Sequence, residues 1–290
     1  MKCTILFNNL LAIINWNPQK EIFRLTIPEI LGFGPTTIAP LWYSMMFMIG
    51  FVIGYIIVYR MFKREGEDVE TLDQLLLVLM LGTVFGARIG HCVFYEWDYY
   101  SQHLIEILLP IQTEPTFKFT GFLGLASHGG AMGVLIAQWW YCKKVLKKPL
   151  IWLLDRIGVP VILVGALIRL GNLMNSEIIG NPTDVSWAFV FEQVDQIPRH
   201  PVQLYESIAY FFIFGILSFL YWRTDIRHKA GRLLGIFTVL LWSTRFGLEY
   251  FKRDMGGIEN ALGLFSTGQW LSIPLIMVGL YFWFRPLKKV

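Results

Sequence analysis

Residues 159–184 read VPVILVGALIRLGNLMNSEIIGNPTD. The stretch VPVILVGALI is apolar or small throughout and suits a helix in hydrocarbon. The same run then carries Arg169, Asn172 and Glu177 before Gly180 and Pro182 break it. An arginine at a bilayer centre costs about 2.5–3.5 kcal/mol on insertion scales, so it faces a partner or a wet cavity rather than lipid. Arg169 and Asn172 are three apart and share a helix face. Gly171 between them lets another backbone or a ligand approach closely. The stretch therefore reads as the outer end of a membrane helix that presents a polar site.

Composition agrees about the solvent. Hydrophobic residues make up 55% of the chain, charged ones only 16%, and the mean hydropathy is +0.51. Soluble domains carry nearer a quarter charged residues. Many of the aromatic residues fall near the ends of apolar runs, as in interfacial belts. A spanning helix needs about 20 mostly apolar residues. Seven stretches qualify: 40–60, 73–95, 121–142, 151–173, 203–222, 233–252 and 269–285.

Basic residues orient the spans. Alternate connections carry Arg60, Lys63 and Arg64, then Lys143, Lys144, Lys147 and Lys148, then Arg223, Arg227, Lys229 and Arg232, and finally Arg285, Lys288 and Lys289. The other side holds half as many: Lys2, Lys20, Arg24, Lys118, Arg199, Lys252 and Arg253. The positive-inside rule places the richer set in the cytoplasm. The expectation is an all-α polytopic membrane protein: a single integral-membrane domain over 1–290 with about seven transmembrane helices, its N-terminus outside and its C-terminus cytoplasmic. Residues 1–39 form an N-terminal interfacial segment, retained because no small-x-small cleavage site follows its short apolar run. The connections 96–120 and 174–202 lie outside as ordered extracytoplasmic loops; loops of such length are usually functional.

The remaining polar residues in apolar runs are candidates for function. Arg245 precedes Glu249 by four residues in RFGLEYFKR, 245–253. The two can meet on one helix face, either as a self-neutralising pair or as an arginine held in shape with donors free for an anion. Arg169 and Arg245, at similar depth on different helices, suggest a two-pronged clamp for phosphate or carboxylate, chemistry for which the guanidinium fork is suited. His128 sits among glycines in GLASHGGAMG, 124–133. It is either a hydrogen-bonded structural group or a proton acceptor. Arg88 lies between Gly86 and Gly90 in GARIGHCVFYEWDYY, 86–100, and Arg199 with His200 opens the fifth span in PRHPVQLYE, 198–206. That basic pair suits a headgroup or an interfacial anchor. Arg156, beside Asp155 near the cytoplasmic end, is expected to snorkel. Cys3, Cys92 and Cys142 are too few and too scattered for a disulfide framework or a zinc site, and no HExxH is present. No metal or cofactor is expected, and no nucleic-acid partner.

Taken in order, LWYSMMFMIGF, GARIGHCVFYEWDYY, SHGGAMG, RLGNLMNSEIIGNPTD, PRHPVQLYE, RFGLEYFKR and TGQWLSIPLIMVG resemble the prolipoprotein diacylglyceryl transferase family over roughly residues 25–285. The resemblance implies a seven-span enzyme of the bacterial inner membrane, with its site in the extracytoplasmic half. It implies transfer of the diacylglyceryl group from phosphatidylglycerol to the lipobox cysteine of a preprolipoprotein, giving a thioether and releasing glycerol phosphate. It makes Arg169 and Arg245 the phosphate-side arginines and His128 a possible base. It marks Tyr43, Asn172, Glu177, Gly180 and Glu249 as substrate-side positions, and Arg88, Arg199 and His200 join them from the reading above. The implied partners are phosphatidylglycerol, the preprolipoprotein signal peptide and membrane lipids. The reacting thiol then belongs to the substrate, so the chain needs none. One departure stands out: where the family commonly has tyrosine and glycine ahead of the sixth-span arginine, this chain has Leu241 and Trp242.

Overall fold

The computed structural model describes residues 13–27, 36–109, 111–113, 118–119, 124–253 and 265–286. Residues 1–12, which include Lys2 and Cys3, the first three positions of the third expected span, and Lys288 and Lys289 lie outside them. The chain divides into two compact units, residues 1–58 with 154–290, and residues 59–153.

Among the described residues, five helices are long and apolar enough to cross a membrane. They are α1 (Trp42–Glu65), α2 (Glu70–Phe94), α6 (Leu150–Met174), α7 (Val202–Arg223) and α9 (Thr267–Phe284). At the third and sixth expected spans the helices are shorter. There α5 covers Ser127–Tyr141 and continues as a π-turn to Leu146, and α8 covers Arg232–Leu248 before tightening into a 3₁₀ turn over Glu249–Phe251. The protein is thus a mostly helical, multi-pass membrane protein. The connections add short elements that no periodicity announces: helices α3 (Trp97–Tyr100) and α4 (Leu104–Leu108), and seven strands of two or three residues among the described residues.

In the 59–153 unit, α2 and α5 pack backbone to backbone. A Cβ at Gly90 would lie 2.7 Å from Gly129 Cα, and one at Gly86 would lie 2.7 Å from Gly133 Cα. Small residues at four-residue spacing let membrane helices gain dispersion contacts that lipid cannot match. The Tyr141 hydroxyl, on a fully buried side chain, ties α5 to the start of α2 through the Thr71 carbonyl at 3.0 Å.

In the larger unit, α6 is the central helix, with Val159, Ile162 and Ala166 buried. Val164 packs on Gly50 of α1, and Ser207 of α7 donates to the Ala166 carbonyl at 3.0 Å. Asp155 caps the start of α8, accepting from the Gly231 and Leu234 amides at 2.6 and 2.7 Å. Arg156 does not snorkel as expected. It is 2% exposed and donates to the Arg227 carbonyl at 3.0 Å, so it joins the α7–α8 connection to α6. Gly235 of α8 meets Gly279 of α9 at a close crossing.

The connection after α6 is a small folded cap. Strand β1 (Ile14–Trp16) runs parallel to β6 (Phe189–Phe191), which pairs antiparallel with β7 (Pro198–Arg199). Leu173, Ile179, Phe189 and Phe191 form its buried cluster, with Trp16 against it. The Trp16 indole donates to the Leu173 carbonyl at 2.8 Å. Residues 14–16, within the segment expected to lie in the membrane interface, are therefore a sheet strand laid over the end of α6.

Candidate functional site

The outer end of α6 delivers Arg169, Gly171 and Asn172 to one place. Glycine at 171 has a steric cause: a Cβ there would stand 2.9 Å from the Tyr43 ring and 3.1 Å from Tyr43 Cα. Tyr43, in the first turn of α1, thus lies over the α6 backbone between Arg169 and Asn172.

Beyond α6 the chain turns sharply. Ser176 and Ile178 both have φ of 56°, in the left-handed region that a β-branched side chain rarely adopts. Such residues cost on the order of 1–3 kcal/mol each and persist only where the surroundings over-determine them. Here the surroundings do so. The Glu177 amide donates to the Asn172 carbonyl at 3.0 Å, and the fully buried Gln203 side chain donates to the Glu177 carbonyl at 2.6 Å. The turn aims Glu177 back at the helix. Its carboxylate accepts from Asn172 at 3.3 Å and from Asn175 at 3.2 Å, while Asn172 accepts from Arg169 at 3.3 Å.

Gly180 is a junction. It bridges to Lys252, and its amide donates to the His200 carbonyl at 3.1 Å. A side chain there would strike the His200 and Phe251 backbone, so only glycine fits. Asn181 donates to the Phe251 carbonyl at 2.8 Å, and Arg253 to the Ile179 carbonyl at 3.3 Å. The segment after α8 is held in this way against the segment after α6.

At the centre of these contacts is a residue the sequence reading passed over. Glu206, one turn into α7, is fully buried. Its Oε2 stands 2.8 Å from Arg169 Nε, and its Oε1 stands 3.0 Å from Lys252 Nζ. Lys252 Nζ is also 3.0 Å from Glu249 Oε2. Arg169, Glu206, Lys252 and Glu249 therefore form a chain of alternating charge. A carboxylate inside an apolar helix obeys the same cost rule as an arginine. Screening the spans for acids as well as bases finds Glu206, whereas Lys252 looks like an ordinary interfacial lysine.

The expected meeting of Arg245 with Glu249 does not occur. Glu249 belongs to the 3₁₀ turn beyond α8, where Lys252 takes its carboxylate and the first turn of α9 lies against it at Gly268. Arg245 instead lies over the Trp242 ring, 5.3 Å from its centroid, at the position where the sequence departs from the family pattern. The Tyr210 hydroxyl is buried without a hydrogen-bond partner among the described residues, and it feels the charges of Arg245, Arg169 and Glu206 together. Arg169 and Arg245 thus share Tyr210 as a neighbour.

Arg199 and His200 help to build the site's frame. The Arg199 guanidinium is buried, pairs with Asp195 at 2.6 Å and donates to the Gly180 carbonyl at 3.3 Å. Those contacts engage its donors within the fold. His200 approaches the Tyr205 hydroxyl at 3.2 Å and stands edge-on to Phe251. Burial pushes its pKa below the usual histidine range. The Tyr205 hydroxyl also accepts from the Trp187 indole at 2.7 Å.

Arg88 and His128 belong to the 59–153 unit. Arg88 is buried, donates to the Glu106 carbonyl at 2.6 Å and covers the Tyr100 ring at 4.7 Å, which ties the α3–α4 segment to α2. It lines a cavity of about 380 Å³ with His91, Glu96, Tyr99 and Glu106. His128, second residue of α5, is exposed and has no hydrogen-bond partner among the described residues. No group of three or more His, Cys, Asp or Glu side chains among the described residues is arranged to hold a metal ion.

The family described as prolipoprotein diacylglyceryl transferase matches residues 28–285 of the chain. A phosphatidylglycerol–prolipoprotein diacylglyceryl transferase of Bacteroides fragilis is 43% identical over 284 residues, covering 97% of this chain and 98% of that one. One of the same name from Chloroherpeton thalassium is 45% identical over 271 residues, with 93% and 96% covered. Another, from Tolumonas auensis, is 45% identical over 253 residues, with 87% and 93% covered.

Proposed function

The chain belongs to the prolipoprotein diacylglyceryl transferase family and is a transferase, and from that premise we propose the reaction, the residues that perform it and its side of the membrane. The proposed substrates are phosphatidylglycerol and the lipobox cysteine of a preprolipoprotein. The thiolate attacks the sp3 glycerol carbon that bears the phosphate. The C–O bond breaks, a thioether forms, and glycerol phosphate leaves with the bonding pair on its oxygen. The thiol proton goes to a base.

Two demands follow. A thiol of ordinary pKa near 8.5 must ionise in a site of low dielectric, and the departing phosphate must carry added negative charge. Arg169 and Arg245 meet both, since fixed cations stabilise charge where it develops and favour a nearby thiolate. The observation that carries this reading is the pair of arginines around buried Tyr210, one braced by Glu206 and the other free of carboxylates within ion-pair distance among the described residues. Glu206, Lys252 and Glu249 keep Arg169 placed. Tyr43, Asn172, Glu177 and Gly180 shape the wall around it, and Arg199 and His200 hold the cap in place. Arg88 orders the α3–α4 segment beside its own cavity. His128, exposed on α5, is the candidate base. The site belongs to the extracytoplasmic half of a seven-span protein in the bacterial inner membrane, with its N-terminus outside and its C-terminus inside.

The test is product chemistry. Purified protein in detergent is given phosphatidylglycerol and a lipobox peptide, and the peptide is read by intact mass. A diacylglyceryl adduct is expected, abolished by Arg245→Ala and kept by the exposed control Lys144→Ala. Folded, lipid-binding protein that leaves both lipid and peptide unchanged would point to a carrier and refute the transfer.

A further inference from the structure

We infer that Trp242 is a positioning residue for Arg245: its indole face orients the guanidinium while leaving the N–H donors open to an incoming anion. The inference rests on Arg245 serving the lipid phosphate, as proposed above.

The cations around the site are held in different ways. Arg169 has a carboxylate, Glu206 Oε2, at 2.8 Å. Lys252 has two, Glu206 Oε1 and Glu249 Oε2, each at 3.0 Å. Two cations and two carboxylates balance. Arg245 stands outside this balance, because among the described residues no carboxylate lies within ion-pair distance of it. What holds it is the Trp242 ring, 5.3 Å from centroid to guanidinium carbon. Trp242 and Arg245 are three apart on α8, so the helix itself sets the approach.

The kind of partner matters. A carboxylate binds arginine through the N–H edge, often with two parallel hydrogen bonds. Those are the same donors a phosphate needs, so an anion would have to displace it. An aromatic face attracts the cation through its quadrupole and uses no N–H donor. Tryptophan does this best of the aromatic residues. Arg245 is thereby fixed in direction and still has its fork available, which is the state a binding arginine must have before substrate arrives. The neighbouring pair Arg169–Glu206 shows the alternative, in which the cation is braced by charge.

The same transfer assay tests this on the full-length enzyme. Trp242 is replaced by mono-, di- and trifluorinated tryptophan, which weaken the quadrupole in steps while leaving the ring's shape almost unchanged. The expected result is a stepwise fall in kcat/KM for phosphatidylglycerol, roughly two- to thirty-fold in total, the range spanned by exposed to desolvated cation–π contacts. Trp242→Phe should fall within that range and Trp242→Leu below it. A flat fluorination series would overturn the inference even if Trp242→Leu is inactive or unfolded, because loss of packing alone does not depend on fluorine count. Arg245→Gln separates the two levels. If it is inactive while the series is flat, only the role of Trp242 falls. If it turns over normally, the phosphate role of Arg245 falls and that of Trp242 with it.

Discussion

Glu206 holds a cation on each of its two oxygens while fully buried. Removing one member of a buried ion pair costs about 3–5 kcal/mol, mostly because the partner charge is left without compensation. Glu206→Gln keeps the shape of the side chain, strands Arg169 and leaves Lys252 with Glu249 alone, so that two cations share one carboxylate. A fall in stability of that order is expected in thermal or denaturant unfolding in detergent, together with loss of transfer activity. Lys252→Met in the Glu206→Gln background should restore part of the stability, since it returns the network to one cation and one carboxylate, while lowering stability when made alone. Equal stability of Glu206→Gln and the parent protein would show that the network adds nothing net. At this scale the sequence was informative about which side chains are costly and silent about their partners. The Arg169–Asn172 contact follows from helical spacing alone. The pairing of Arg169 with Glu206 depends on the register between α6 and α7, which no local pattern encodes. The expected Arg245–Glu249 pair failed because α8 ends at Leu248 and its following turn carries Glu249 to Lys252.

The cap between α6 and α7 has a small apolar cluster, Leu173, Ile179, Phe189 and Phe191, and is secured further by specific polar ties. The largest is Arg199 with Asp195, supported by the Gly180 carbonyl. Hydrogen bonds from Arg199 hold the Asp195 carboxyl below its ordinary value near 3.8, with the Ile197 amide and the Arg253 charge acting in the same direction against the opposing effect of burial. A carboxyl depressed in the folded state contributes stability above its unfolded pKa and loses it as pH falls through the folded value. The cap should therefore stay closed at neutral pH and loosen only below about pH 4. Cleavage by an acid-active protease within 183–197 is expected to rise in that window. Asp195→Asn should abolish the acid step and expose the cap at pH 7, and a variant as protected as the parent at pH 7 would rule the tie out as an anchor. Strands of two or three residues carry no readable period, which is why the sequence showed an ordered loop here but not a sheet, and not the parallel pairing with residues 14–16. The glycines of α2 and α5 stand out in the sequence, but which of them meet is set by the register between the two helices: Gly90 meets Gly129 and Gly86 meets Gly133.

For the molecule as a whole, orientation is a consequence of charge. Connections rich in lysine and arginine resist translocation, and those assigned to the cytoplasm carry twice the basic residues of the opposite side. Hydropathy is a bulk property, and five of the seven expected spans are helices long and apolar enough to cross a membrane; at the third and sixth, α5 covers only Ser127–Tyr141 and α8 gives way to a 3₁₀ turn at Glu249. On the proposed reaction orientation decides chemistry: the cap follows directly on the end of α6 that carries Arg169, so the side that holds Glu192 is the side of the proposed arginine site. The prediction can be read with single cysteines in a background where Cys3 is replaced by serine; Cys92 and Cys142 are buried and serve as unreactive internal controls. Glu192→Cys, in the exposed part of the cap, should react with a membrane-impermeant maleimide on intact spheroplasts. Lys144→Cys, exposed in the π-turn after α5, should react only after lysis. The reverse pattern would place the arginine site in the cytoplasmic half, where a preprolipoprotein cysteine that has already crossed the membrane could not reach it, and the proposed reaction would then fail on geometry alone.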